Sequence, residues 1–200
     1  MFKTLLGWVR TKASAAPGYT ASWNLDAQEP LTSADAAAEM LRAPTALMQL
    51  GEAEAKVVVQ YMEPRMVAED TVLFQEGDHD DTDFMLLVIS GEVTVETLVV
   101  SRKTPETLMV LGPGSLVGEM ALFDGEARSA TCTATSALKC AILTRDALER
   151  LTRNEPAIAA RLMTAIGQRL AERLRQSDEK VRLYSHLVRT MQQEINVLMR

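Results

Sequence analysis

The stretch GEMALFDGEARSATCTA, residues 118–134, places an acidic residue, a short apolar run and an Arg-Ser pair between glycine-marked turns. A helical turn that starts at such a glycine leaves main-chain N–H groups open to an anion. Arg128 could add a bidentate contact to a phosphate, and Ser129 could donate from its hydroxyl and its N–H. Glu119 would repel a phosphate, but it suits a sugar hydroxyl, from which it can accept hydrogen bonds. The spacing fits this nucleotide-like ligand and an ordinary Glu119–Arg128 ion pair equally well.

The residues around this stretch form short β-rich runs between positions 63 and 143. Val93 and Val95 alternate with polar residues, which is typical of a half-buried strand. Many short strands with glycine turns predict a closed sandwich or jelly roll. The runs are DTVLFQEG, DFMLLVISG, EVTVETLVV, ETLMVLGPG and RSATCTATSALKCAILT, with SLV directly before Gly118.

Two helical segments precede the strands. LTSADAAAEMLRA has a Ser/Thr start and is stopped by Pro44, and TALMQLGEAEAKVVVQYM supplies a second apolar-faced helix. Residues 2–10 have apolar side chains at helical spacing beside two basic residues, a pattern compatible with contact to a membrane surface or a partner. Because nine residues make a marginal helix, we favour a loose terminus or a helix packed on its own domain.

From Arg145 onward the pattern is helical and carries one apolar seam. The seam repeats at three- and four-residue spacing, which predicts a heptad coiled coil across residues 160–198. A helix of this length cannot pack fully on so small a roll, so we expect a parallel two-stranded homodimer in preference to antiparallel pairing or a missing partner. The seam positions are Ala160, Met163, Gly167, Leu170, Leu174, Ser177, Val181, Tyr184, Val188, Met191, Ile195 and Leu198.

Composition limits the function further. Residues 145–200 hold eleven basic and seven acidic residues, a net of +4, which leaves −10 for the rest of the −6 chain. An acidic body and 4% aromatic residues argue against nucleic-acid binding. No run reaches the ~18 apolar residues of a membrane span, and the N-terminus lacks a secretory signal. We therefore expect a cytoplasmic protein.

Catalytic and metal-binding constellations are not found in the sequence. Cys132 and Cys140 each lie two positions from apolar residues on both sides, in the patterns Ala130-Cys132-Ala134 and Leu138-Cys140-Ile142, which is typical of inward-facing strand residues. We therefore expect buried free thiols rather than a disulfide. An acidic cluster fits a solvated loop better than a cation site, because it lacks the EF-hand spacing. Its members are Glu76, Asp78, Asp80, Asp81 and Asp83.

GEMALFDGEARSA resembles the phosphate-binding cassette of the cyclic nucleotide-binding domain family, and VLFQEGDHDDTDFMLLVISGEVTV resembles its paired-glycine hairpin. QRLAERLRQSDEKV is similar to the dimer helix of the catabolite activator (CRP/FNR-like) branch. The resemblance covers residues 45–183. It implies a mainly β fold with flanking helices, a cyclic nucleotide-binding β-roll followed by a long C-terminal dimerisation helix.

The resemblance also implies roles for cassette residues. Glu119 would bind the ribose 2′-hydroxyl, Arg128 the cyclic phosphate, and Ser129 would donate to that phosphate. The remaining cassette residues expected at the ligand are Gly118, Met120 and Ala130.

On the long helix, the resemblance implies that Arg173 lies near the ribose and that Ser177 contacts the adenine amine. Asp178 stands where the family has a serine that reaches in from the partner subunit. A carboxylate there could accept from the adenine amine or from guanine N1–H and N2–H. The ligand is therefore expected to be cAMP, with cGMP as the alternative.

We expect a homodimeric bacterial cyclic-nucleotide sensor that is not an enzyme, holds no cofactor or metal, and signals to a protein partner. The expected divisions are an N-terminal extension (1–45), the β-roll with a helix before and after it (46–153), and the dimerisation helix (154–200). DNA binding is disfavoured because RLYSHLVRTMQQEINVLMR continues as helix without a recognition helix. A CRP-like transcriptional regulator, seen here as a fragment or lacking that domain, and a scaffold that has lost its ligand are the alternatives.

Overall fold

A computed structural model of the chain describes residues 33–80, 82–98 and 105–198. The expected helix at residues 2–10 and the end of the predicted strand EVTVETLVV lie outside the described residues. The helices are α1 (Ser33–Leu41), α2 (Glu52–Gln60), α3 (Glu119–Asp124), α4 (Arg145–Asn154) and α5 (Pro156–Leu198). The strands are β1 (Glu63–Val67), β2 (Thr71–Phe74), β3 (Phe84–Ser90), β4 (Val93–Leu98), β5 (Pro105–Leu111), β6 (Leu116–Val117), β7 (Thr131–Ala134) and β8 (Leu138–Thr144).

The strands form two four-stranded antiparallel sheets, with orders β1-β8-β3-β6 and β2-β7-β4-β5. Side chains from both sheets fill the space between them, so the predicted roll with flanking helices and a long C-terminal helix is confirmed. The buried core residues are Phe74, Phe84, Leu86, Val88, Val93, Val117, Cys132, Ala134, Leu138 and Cys140.

Strand β3 is buried on both of its faces. Its first five residues, Phe84 to Val88, are all buried, because one face meets the core while α1 and α3 contact this strand as well. A strand covered on both sides becomes a continuous apolar run instead of an alternating one. This explains the sequence FMLLV and places α3 directly beside β3.

The helix predicted for TALMQLGEAEAKVVVQYM is shorter than expected. Residues 42–50 form turns, and α2 begins only after Gly51, which is extended at φ −66° and ψ 157°. The Gly51 N–H donates to Glu54 Oε2 at 2.9 Å, so a local cap sets the start of the helix. The predicted helix was too long because the apolar pattern continued across Gly51, whose extended backbone is not helical.

Strand β1 was not among the predicted runs. It pairs with β8 at the edge of its sheet and contains Pro64, which a strand tolerates only at an edge or its first residue. Its sequence, EPRMV, has little apolar alternation. The strand conformation of these residues therefore depends on pairing with β8, because their own sequence pattern does not predict a strand.

The helical prediction after Arg145 is confirmed, with one interruption. Thr144 Oγ1 accepts from the Ala147 N–H at 3.2 Å and caps α4. The chain turns at Glu155, φ −133° and ψ 62°, and α5 starts on Pro156, a residue suited to the first helical position.

The chain divides into two compact units, one ending at Leu162 and one beginning at Met163. The second unit is the continuation of α5, whose seam side chains are largely exposed. Among the described residues, no helix is long and apolar enough to cross a membrane. The exposed seam residues are Leu174, Val181, Tyr184, Val188, Met191 and Ile195, at 48–64% exposure.

The prediction of buried thiols outside a disulfide is confirmed, since neither Cys132 nor Cys140 forms a disulfide and both are buried. Burial raises the pKa of the Cys140 thiol from 9.0 to about 12, against a smaller lowering effect of the Arg65 charge. The reactive thiolate is therefore suppressed in the folded chain.

We expect both thiols to react slowly with Ellman's reagent at pH 8 in the native protein, and both to react rapidly in denaturing urea. The thiol of Cys140 stays protonated in the fold while it ionises near pH 9 when unfolded. Its contribution to stability is therefore present below pH 9 and is lost as the pH rises from there towards 12. Fast labelling of either cysteine in the native state would contradict this packing.

Candidate functional site

The site is built on α3, a six-residue helix between two left-handed glycines. Gly118 caps its start at φ 82° and ψ 13°, and Gly125 ends it at φ 71° and ψ 7°. The buried face of α3 includes Glu119, while Met120 on the other side is 46% exposed. Only glycine adopts this backbone without strain, so the two glycines fix how the helix enters and leaves.

Gly118 is also required by close packing. A Cβ at this position would lie 2.5 Å from Arg128 Nη1 and 3.3 Å from Phe74 Cε1. The missing side chain is what lets the Arg128 guanidinium approach the main chain at the start of α3.

Arg128 is anchored by both its side chain and its main chain. Nη1 donates to Gly118 O and Nη2 donates to Phe84 O, each at 3.0 Å. The Arg128 N–H donates to Asp78 O at 2.9 Å, and Arg128 O accepts from the Gly77 N–H at 2.8 Å. The side chain is 2% exposed, so this cation is removed from water.

Two aromatic rings also lie against the guanidinium. Cζ of Arg128 lies 4.2 Å from the Phe74 ring centroid and 4.4 Å from that of Phe84. The rings meet edge to face with centroids 6.0 Å apart, so they cover adjacent sides of the guanidinium. We name Phe74 and Phe84 the aromatic cage. Sequence reasoning missed this role, because both residues read as ordinary core positions on different strands.

The predicted cassette residues are brought together here. Glu119, the first residue of α3, is 4% exposed and follows the glycine whose carbonyl Arg128 contacts. Ala130 is 8% exposed, whereas Ser129 lies exposed at the surface. Burying a carboxylate and a guanidinium costs several kcal/mol unless they are well partnered, so a plain structural core would favour apolar residues here.

The acidic cluster behaves as a loop. Asp78 Oδ2 accepts from the Gln75 N–H at 2.8 Å, and its carbonyl receives the Arg128 N–H. Among the described residues, no group of three or more His, Cys, Asp or Glu side chains could hold a metal ion, and Asp81 lies outside them. The loop between β2 and β3 therefore serves to hold the main chain of Arg128.

The predicted helix residues Arg173, Ser177 and Asp178 all lie on α5, in the unit that begins at Met163. Ser177 and Asp178 are exposed, and Arg173 is half-buried. Arg173 and Ser177 are four residues apart and share one face of the helix. Their part in a ligand site stays a prediction.

Residues 64–155 match the family described as the cyclic nucleotide-binding domain. These residues form a domain of this family. A structure of a cyclic nucleotide-binding domain from Methylobacillus flagellatus KT matches with a TM-score of 0.64 and 29% identity, covering 74% of this chain and 82% of that one. The predicted resemblance to this family, and to its catabolite activator branch, is thus confirmed.

Two curated relatives belong to longer proteins. The cyclic AMP receptor protein of Thermus thermophilus is 32% identical over 123 residues, which cover 62% of this chain and 56% of that protein. A cyclic nucleotide-gated potassium channel from Rhizobium etli is 30% identical over 132 residues, which cover 66% of this chain and 35% of the channel. The chain therefore spans only about a third to a half of these relatives, and what it shares with them is a regulatory domain.

We expect Gly118→Ala to destabilise the protein more than Gly125→Ala. Both substitutions place a side chain at a positive φ, which costs about 1–2 kcal/mol. Only the first also drives a Cβ to 2.5 Å from Arg128, since a Cβ at Gly125 meets nothing nearer than 3.9 Å. Urea denaturation should show the difference, and equal losses would contradict the close approach of Arg128.

Proposed function

We propose that this chain is a bacterial, cytoplasmic, homodimeric regulatory protein that binds a cyclic nucleotide at residues 118–130 and passes its occupancy through α5 to a protein partner. The observation that carries the proposal is the convergence of Gly118, Glu119 and Arg128 at the start of α3, where two opposite charges are buried in a family motif. The protein has no enzymatic role in this proposal.

Within this site, each cassette residue has a chemical role. Arg128 binds the cyclic phosphate through its guanidinium, and Ser129 donates to the same phosphate from an exposed position. Glu119 accepts from the ribose 2′-hydroxyl. Gly118, Met120 and Ala130 line the ligand around these contacts.

The base is read by α5 in this proposal. Ser177 contacts the base amine and Arg173 lies near the ribose, with Asp178 approaching from the partner subunit. The name of the Thermus relative, a cyclic AMP receptor, supports cAMP as the ligand. Asp178 keeps cGMP as the alternative, because a carboxylate can accept from guanine N1–H and N2–H together.

The exposed seam of α5 supports the homodimer. Val181, Tyr184 and Val188 continue a heptad pattern and are 60–63% exposed in the single chain. A second copy would bury this stripe along residues 160–198 as a coiled coil. With residues 1–45 as an extension and 46–153 as the ligand-binding roll, residues 154–200 would form the part of the dimer that changes with ligand.

Signalling follows if the ligand binds two arrangements of the helix pair with different affinities. Ligand groups on the cassette and on α5 would supply that difference. DNA is a poor partner for a body with net charge −10, so a protein is the expected reader of the change.

Calorimetric titration of the full chain with cAMP and with cGMP tests ligand binding. We expect micromolar or tighter binding of one of them, and the ratio of the two dissociation constants gives the base preference. Ser129→Ala should weaken binding about tenfold, because a hydrogen bond to a charged group contributes about 1.5 kcal/mol.

Ser129 suits this test because it is exposed, and its loss should leave the fold intact. Thr152→Ala is the matched control, since it removes another exposed hydroxyl, on α4, and should leave affinity unchanged. Absence of binding of both nucleotides would instead identify a dimeric scaffold that has lost its ligand.

Dimerisation is tested separately by sedimentation equilibrium. Val181→Gln combined with Val188→Gln should shift the protein from dimer to monomer, because it removes two apolar seam positions seven residues apart. Arg182→Gln combined with Arg189→Gln is the control at the same spacing, one position off the seam on exposed residues. A monomeric wild-type chain would overturn the dimer.

A further inference from the structure

Arg128, the residue proposed to bind the cyclic phosphate, is almost completely buried in this structure. The Arg128 side chain is 2% exposed, and both terminal nitrogens donate to main-chain carbonyls, those of Gly118 and Phe84. A bidentate phosphate contact needs one accessible edge of the guanidinium. Arg128 can therefore reach a phosphate only after its guanidinium moves.

The aromatic cage opposes that movement. Phe74 ends β2 in one sheet and Phe84 begins β3 in the other, and each ring centroid lies within 4.4 Å of Arg128 Cζ. The attraction between a cation and an aromatic ring is strongest where water is excluded, as it is here. The folded roll thus presents two rings to one cation at the point where the two sheets meet.

We propose that Phe74 and Phe84 are positioning residues that hold Arg128 in a closed state and thereby set the affinity and association rate for cyclic nucleotide. The inference rests on the proposed function and adds its regulation. When only a fraction of molecules has Arg128 released, the apparent affinity falls in proportion to that fraction. The cage sets this fraction.

The opposite role would be preorganisation, in which the rings hold Arg128 ready for the phosphate. The two roles predict opposite signs, since weakening a preorganising cage lowers affinity and weakening a closing cage raises it. The near-complete burial of Arg128 and the orientation of Nη1 and Nη2 towards carbonyls favour closure.

Phe74→Leu and Phe84→Leu test the proposal in the full chain. Leucine keeps an apolar side chain and removes the aromatic face, while the Phe84 carbonyl that accepts from Nη2 stays in the backbone. We expect either variant to bind cAMP about tenfold more tightly, which corresponds to about 1.4 kcal/mol. Stopped-flow mixing should assign most of the gain to faster association.

Leu138→Val is the matched control. Leu138 belongs to the same core but lies at the start of β8, whereas Phe84 pairs with Thr144 at the end of that strand. All three variants should melt at a lower temperature than the wild type. A merely structural role for the rings would give the same unchanged or weakened affinity in the phenylalanine variants as in the control.

A second measurement follows nucleotide binding in the wild type and does not depend on how the phenylalanine variants fold. The Arg128 side-chain protons should carry upfield ring-current shifts in nucleotide-free protein, assigned by their absence in Arg128→Lys. Adding cAMP should remove these shifts if the guanidinium leaves the rings. Shifts that persist at saturation would overturn the proposal.

The outcomes separate the two hypotheses. If the wild type binds and the phenylalanine variants bind equally or more weakly, the closed state is overturned and the proposed function stands. If the wild type does not bind measurably and the variants do, both are supported. If neither the wild type nor the well-folded variants bind cAMP or cGMP, both are overturned.

Discussion

The burial of one positive charge organises the β-roll of this protein. A guanidinium that is 2% exposed must recover through protein contacts the interactions that it lost with water. Two carbonyls and two aromatic rings are among the groups that take the place of water around Arg128. These groups come from the start of α3, from β2 and from β3, so the charge is satisfied only when both sheets and the short helix are in place.

The segment before α3 is fixed by several contacts at Gly114, and these contacts position the Gly118 carbonyl to which Arg128 donates. Gly114, at φ 77°, leaves no room for a side chain, because a Cβ there would lie 2.6 Å from Ala43 Cβ. Thr45 Oγ1 donates to Gly114 O at 2.8 Å, and the Gly114 N–H donates to Val88 O at 2.8 Å. The turn after α1 and the buried strand β3 therefore fix the segment that leads into β6, and through it the carbonyl of Gly118 that Arg128 needs.

The sequence predicted the elements that depend on a local pattern of residues. It did not predict the features that depend on contacts between residues far apart in the chain. Period-two alternation located β4, and the continuous apolar run FMLLV located β3. The spacing within residues 118–130 predicted that Gly118, Glu119 and Arg128 lie together, and the structure places Glu119 and Arg128 buried at the start of α3. The aromatic cage was not predictable in this way, because nothing in the spacing of Phe74 and Phe84 points to Arg128. Edge strand β1 was missed for the same reason, since its partner β8 lies more than seventy residues away. The start of α2 was also mispredicted, because the extended backbone of Gly51 at ψ 157° begins the helix later than the apolar pattern indicates.

Release of Arg128 would have consequences beyond the ligand, because α3 is also tied to α4. Arg145 is the first residue of α4, and its Nη2 donates to Ala121 O in α3 at 3.1 Å. Its N–H donates to Asp83 O at 2.7 Å, next to the Phe84 carbonyl that Arg128 occupies. Two arginines thus hold the same short helix, one at its first turn and one at a carbonyl further along.

A contiguous set of contacts is not by itself coupling, which requires an element with two discrete arrangements. The guanidinium of Arg128 is such an element if it exchanges main-chain carbonyls for a phosphate, because the freed Gly118 and Phe84 carbonyls must then find other donors. The shortest way to satisfy them is a shift of α3, and the Arg145 contact would carry that shift to the start of the helical segment.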